Sequence, residues 1–312
     1  IALQLGNIAS NSPADLHGQS VTLWDGETQV GVGQFTTSDY ATSTLSETFT
    51  IAKGTTKTII VKGALTTQDA VNGTPGAFFA INYDGDNNGL NGNYGTGVDS
   101  GQTISGISSD VLTNGVRIFA NVPTFTLLSS GGTYANNSNL YSFSVTNPGS
   151  KDMALSQVTF SIATTGGAAT GFTLYADGVA VSAPTDAPLG TLKIAFNNTS
   201  VGKIIPAGSL KTYRLRCSNL ADIVGVSETI SIALRADTIY PSLPNLMGTA
   251  TGLRTGNNIV WSPMSTTTLY ADDAAFEDYT DWTNGYGLPG FSDDLETQLW
   301  KRAPEPPILV PQ

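Results

Sequence analysis

The chain has one cysteine, Cys217, and one histidine, His17, among 312 residues. A single thiol excludes an internal disulfide and any cysteine-based metal cluster. Cys217 also lies in phase with Tyr213 and Leu215 in an alternating pattern, which predicts a buried structural thiol rather than a reactive one. His17 falls in a polar stretch rich in Asn, Ser, Pro and Gly, and no G-x-S-x-G elbow occurs, so nucleophilic catalysis of the triad kind has nothing to stand on. Walker loops and dinucleotide fingerprints are missing, and no two of the 25 acids single themselves out as a glycosidase pair. The expectation is a protein that is not an enzyme.

Charge is scarce as well. Charged residues make up 12% of the chain, about half the usual share of a soluble globular protein. The net charge of −11 and a pI near 4.3 repel nucleic acid and anionic lipid, so neither is an expected partner unless a divalent cation bridges them. No apolar run approaches the ~18 residues of a membrane span, and no signal peptide is visible. The first residue is Ile1 rather than Met, which reads as a processed product or a portion of something longer.

What the chain does have is short alternating runs separated by turn residues. Tyr141, Phe143 and Val145 alternate with Ser142, Ser144 and Thr146, and Val158, Phe160 and Ile162 with Thr159, Ser161 and Ala163. Period two predicts strands with one face buried. Turn signals such as Asp25-Gly26, Asp177-Gly178, Ala207-Gly208 and Pro148-Gly149 separate the runs, the pattern of an antiparallel β-sandwich.

Three blocks recur in order. VTLWDG from Val21 matches FTLYADG from Phe172, with Thr22 aligned to Thr173 at an offset of 151. The run from Ile51 to Lys62 matches that from Ile205 to Arg216 at an offset of 154, and AFFAINYD ending at Asp84 matches ISIALRAD ending at Asp237 at 153. Three ordered matches predict a duplication. Prolines 123 and 263, each following an apolar strand, mark the ends of the copies. The predicted architecture is all-β: two tandem Ig-like antiparallel sandwiches, residues 1–121 and 122–263, followed by an acidic, aromatic-containing segment and Pro-rich tail, residues 264–312. Only 21 residues precede Thr22, against 49 between Pro123 and Thr173, so the first copy is expected to lack its opening strand. Either the protein continues upstream of Ile1, or a neighbouring molecule donates the strand.

Two groups of residues are candidates for binding. Asp84-Gly85-Asp86-Asn87-Asn88-Gly89 fits the opening of a calcium loop, with Asp84, Asp86, Asn88, Asn91 and Asp99 as ligands and Asn93 nearby; the alternative is a turn that favours Asp, Asn and Gly. Position twelve is Gly95 where a bidentate glutamate belongs. Between Ala271 and Glu296 there are eight acids and no Lys or Arg, interleaved with aromatics including Phe276, Tyr279, Trp282 and Tyr286. That mixture predicts a segment docked on the second domain or on a neighbouring subunit, with sugar stacking as the rival use. Ile308, Leu309 and Val310, between prolines, form an apolar plug suited to a partner's groove, or an extended end lying on its own surface.

The runs GTPG (Gly73 to Gly76), INYDGD with GLNGNYG (Ile81 to Gly95), GVRIF (Gly115 to Phe119), IVWSP (Ile259 to Pro263) and DWTNGYGLPG (Asp281 to Gly290) together resemble large surface proteins predicted in Patescibacteria, the candidate phyla radiation. The resemblance covers nearly the whole chain. It implies an extracellular location and a place in the C-terminal part of longer secreted proteins of Ig-like β domains that coat the cell as a surface layer or filament. It transfers no catalytic residue. The resulting expectation is a secreted structural protein that self-assembles at the cell surface through β-edge and tail contacts, stabilised by calcium. Its partners would be other copies of itself or neighbouring surface-protein domains. A monomeric adhesin or a module binding cell-envelope glycan is the alternative.

Overall fold

Because β-branched and aromatic residues alternate with small polar ones through most of the chain, strands rather than helices form, and the larger sheets bury an apolar face. The computed structural model describes residues 1–6, 12–35, 39–66, 78–85, 93–113, 115–117, 119, 121–128, 135–183, 185–187, 190–196, 200–221, 228–237, 250–264, 281–290 and 300–301. The protein is all-β, with antiparallel pairing throughout and one short α-helix, Ala250–Arg254, among the described residues. It divides into two compact units, Ile1–Phe119 and Ala120–Gln312.

The second unit is a sandwich. Its first sheet has the order Thr124–Leu128, Asn139–Thr146, Leu210–Leu220, Ala169–Ala176, Val179–Ala180. The second is built on the long strand Met153–Thr165, which pairs with Thr191–Ala195, Ile204–Ile205, Thr229–Leu234 and Val260–Ser262. Aromatic rings fill the space between them. Phe143 stacks on Tyr213 at 5.0 Å and on Phe125 at 6.1 Å, and meets Phe160 of the opposite sheet edge-on at 6.2 Å. Tyr213 donates its phenol proton to the Gly202 carbonyl at 2.6 Å, which satisfies the one polar atom this buried ring carries. Cys217 is buried in phase with Tyr213 and Leu215, as its alternation predicts, and its thiol points at the Thr170 carbonyl, 3.0 Å away.

One expectation needs correcting. Alternation predicts one buried face, yet Ser142, Ser144 and Thr159, and Gln157 in phase with Thr159, are buried too. On Met153–Thr165 the cover is another part of the same unit. Residues 250–262 lie across Met153–Thr165: Gln157 donates to the Asn257 carbonyl at 2.6 Å, Thr159 to that of Asn258 at 2.8 Å, and Arg254 to the Ser156 hydroxyl at 2.8 Å. Small hydroxyl and amide side chains can be buried there because each finds a partner.

The first unit is built from two three-stranded sheets, Tyr40–Thr42 with Ala2–Leu5 and Ile81–Tyr83, and Thr28–Gln34 with Ser20–Asp25 and Ile59–Lys62. Leu3, Leu5, Leu16, Val21, Leu23, Val30, Phe35 and Phe79 form its core. Two further pairings complete it, Phe78–Phe79 with Val116–Arg117 and the hairpin of Tyr94–Thr96 with Thr103–Ser105.

The duplicated blocks fold alike, register included. Thr22, Leu23, Trp24 and Asp25 stand opposite Lys62, Val61, Ile60 and Ile59. Thr173, Leu174, Tyr175 and Ala176 stand opposite Arg216, Leu215, Arg214 and Tyr213. Shifting the first set by the offsets read from sequence, 151 and 154, reproduces all four pairs of the second. Side-chain contacts follow. Lys62 sits over the Trp24 ring at 4.4 Å and Arg216 over the Tyr175 ring at 4.6 Å. Lys57 pairs with Asp25, and Lys211 with Asp177. The preceding turn recurs as well: Gly54 and Gly208 both take positive φ, and the hydroxyls of Thr55 and Ser209 donate to the carbonyls three residues back.

Candidate functional site

With the register known, equivalent positions can be compared, and they differ most in exposure. Leu215 is fully buried because its strand lies between Asn139–Thr146 and Ala169–Ala176. Its counterpart Val61 is 37% exposed, because Ile59–Lys62 has a neighbour on one side alone among the described residues. Ile205, paired with Met153 in the sheet, is 0% exposed, whereas Ile51 is 57% exposed. Ala2–Leu5 pairs with Ile81–Tyr83 as Met153–Thr165 pairs with Thr229–Leu234, and its register matches only the middle of that longer strand. No counterpart of Thr124–Leu128, of Asn139–Thr146 or of the start of Met153–Thr165 is among the described residues of the first unit.

Exposed apolar side chains are also concentrated in this unit. Twelve of the sixteen exposed large apolar side chains among the described residues belong to Ile1–Phe119, the smaller unit, which makes it the candidate interaction surface. All six residues of the hairpin Tyr94–Thr96 with Thr103–Ser105 are exposed, Tyr94 and Ile104 among them.

Of the expected calcium ligands, Asp86, Asn88 and Asn91 lie outside the described residues. Asp84 is buried at the end of Ile81–Tyr83 and Asp99 is exposed in the turn at the far end of the hairpin, so the structure does not bring these two together. Asn93, at the base of the hairpin, has both ends of its amide engaged: it donates to the Asp84 carbonyl at 2.5 Å and accepts from the Ala2 N–H at 2.7 Å. Among the described residues no three His, Cys, Asp or Glu side chains converge as a metal site. The repeat supplies a different comparison. Asp237, the counterpart of Asp84, accepts backbone N–H bonds from Asn258, Ile259 and Gly285 at 2.6 to 2.9 Å. Burial raises its carboxyl pKa, and those three donors pull it back. An acid closing this block therefore pins neighbouring backbone in the second unit.

Of the expected docking residues, Phe276, Tyr279, Ile308, Leu309 and Val310 lie outside the described residues. Trp282 is 1% exposed, packed with Ala154, Ala250, Leu253, Val260 and Met264 and partly against Ile204. It docks on its own unit and is closed to a sugar ring, while Tyr286 is half-buried. The following residues extend the sandwich: Thr283–Asn284 pairs with Val260–Trp261, and the Pro289 carbonyl accepts the Phe125 N–H at 3.0 Å. Gly290, at φ +86°, passes so close that a Cβ there would overlap the Phe125 carbonyl. The tail has a counterpart too. Trp300–Lys301 pairs with Ser231–Ile232 as Val116–Arg117 pairs with Phe78–Phe79, and Pro307 follows Trp300 at the spacing at which Pro123 follows Val116. By that spacing Ile308 to Val310 correspond in sequence to Thr124 to Thr126, the start of the second unit's first strand.

No known family model matches the chain, and no match was found among curated proteins.

Proposed function

We propose that this chain is a structural, non-catalytic protein of a bacterial cell surface, secreted and assembled into a layer or filament through the sheet edge and apolar surface of its first unit. The observation that carries the reading is the contrast between equivalent positions: Val61 and Ile51 are exposed where Leu215 and Ile205 are buried. Apolar surface left open by one unit of a repeat is surface for a neighbour to cover. The acidic net charge suits an assembly bridged or rigidified by cations. A calcium ion at the loop that begins with Asp84 belongs to the same proposal, and a melting temperature of the first unit unchanged by chelation removes it. The resemblance to Patescibacterial surface proteins supports the location. Electron microscopy of concentrated protein tests the assembly: regular filaments or sheets are expected, and a monomer that persists at high concentration overturns it.

A further inference from the structure

We infer that the open edge of Ile59–Lys62 is a strand-acceptor site, taking an extended segment of a neighbouring polypeptide that runs antiparallel to it and carries large apolar side chains at alternate positions. The occupant is read from the second unit. There the equivalent strand, Leu210–Leu220, is flanked by Asn139–Thr146, with Tyr141 opposite Leu215, Phe143 opposite Tyr213 and Val145 opposite Lys211. Carried across by the repeat offset, these three side chains would stand opposite Val61, Ile59 and Lys57. Tyr141 and Phe143 would then cover Val61 and Ile59, the residues whose counterparts are fully buried.

The backbone is prepared for it. In the second unit Asp177 donates its N–H to the Thr212 carbonyl, and Asn147 donates to that of Ser209. Even-numbered residues of Leu210–Leu220 thus bond toward Ala169–Ala176, and odd-numbered ones toward Asn139–Thr146. The offset of 154 is even, so Ile60 and Lys62 bond toward Ser20–Asp25, while the N–H and C=O of Lys57, Ile59 and Val61 face the open edge. Those groups form half of a ladder, and the partly exposed apolar side chains of Ile59 and Val61, at alternate positions along it, give the occupant its register. The inference rests on the assembly reading only for the natural source of the strand.

The test uses the full chain and a synthetic octapeptide with the sequence of Asn139–Thr146, read by residue-resolved amide hydrogen exchange. The peptide is expected to slow exchange at Ile59 and Val61 at least tenfold, while a peptide of the same composition with its apolar residues out of phase does not. Val61→Pro removes an outward N–H and spares the inner ladder, so it should abolish the effect while Ser20–Asp25 stays protected. Three results overturn the inference: no slowing with peptide at about 1 mM, a concentration that would detect binding of only about 4 kcal/mol; equal slowing by the out-of-phase peptide; or unchanged binding by a folded Val61→Pro protein. Edge amides already protected in dilute protein without peptide would place the chain's own residues there and overturn it too. Protection that grows with protein concentration and resists the peptide would mean edge-to-edge pairing of copies, again against this occupant. Ordered assemblies with freely exchanging edge amides would sink the acceptor site and leave the assembly reading standing, whereas peptide binding by a persistent monomer would do the reverse.

Discussion

Ile51 and Ile205 are the same residue at equivalent positions of the repeat, so one substitution made at both isolates burial from chemistry. At Ile205, fully buried and paired through Met153, Ile→Ala removes three carbon groups from the core. At about 0.8 kcal/mol for each, the transfer loss is roughly 2.4 kcal/mol. The cavity left among rigid neighbours brings the expected cost to about 3.5 kcal/mol, inside the 2 to 5 kcal/mol range for such truncations. At Ile51, 57% exposed, less than half of that area is withdrawn from water, and the turn can relax around the loss. The expected cost is about 1 kcal/mol or less. Amide exchange at low protein concentration reads each unit separately, which a single unfolding curve for two units would not. A cost above about 2 kcal/mol for Ile51→Ala, or equal costs at the two sites, would refute the claim that the first unit leaves this position uncovered.

Trp282→Ala should lower the stability of the second unit by about 3 to 5 kcal/mol, because the ring is enclosed by residues from four parts of the chain; a stability within about 1 kcal/mol of the parent, read by amide exchange in the second unit, would show that residues 281–290 are dispensable. Gly290→Ala should strip residues 285–290 from the sandwich and accelerate exchange of the Phe125 amide, since both its positive φ and the overlap with Phe125 oppose a side chain; an unchanged exchange rate refutes the contact. Burial pushes the Tyr141 phenol up to about 12 from an ordinary 10.0, against a smaller opposing effect of the Leu234 N–H. The folded state holds that proton after the unfolded chain has lost it, so its contribution is intact below pH 10.0 and is lost as pH rises through about 12. The loss approaches about 3 kcal/mol, and Tyr141→Phe should flatten the alkaline fall in stability seen by circular dichroism; an identical pH profile refutes it.

The all-β class was legible because it depends on local alternation and turn residues, and the repeat was legible because aligned blocks preserve residue type at nearly constant spacing. The offsets even carried register, down to Lys62 over Trp24 and Arg216 over Tyr175. Burial of the polar faces was not legible. Gln157 and Thr159 look solvent-facing in sequence, and what covers them is residues 250–262, about a hundred positions away along the chain. Trp282 was legible in part: the aromatics around it predict a segment docked on the second unit or on a neighbour, and its ring is buried in its own unit, but which distant residues enclose it was not legible. The exposure of Ile51 and Val61 was hidden for the same reason: an apolar residue in a strand reads alike whether or not a neighbour covers it.

Edge strands are commonly guarded by lysines that keep other strands away, and Ile59–Lys62 has Lys57 and Lys62 about it. The repeat argues that these are not guards. Lys211 and Arg216 occupy the same places on Leu210–Leu220, a strand with neighbours on both sides, and make the same contacts with Asp177 and Tyr175. Held to Asp25 and to the Trp24 ring, the two lysines of the first unit likewise turn toward Ser20–Asp25, the side already paired. What remains at the open side, among the described residues, is a four-residue strand with the contacts and turn of an interior strand, its two lysines held toward the paired side. On the proposed reading such a strand is kept from aggregating by the neighbour that covers it, which ties the acceptor site to the proposed assembly.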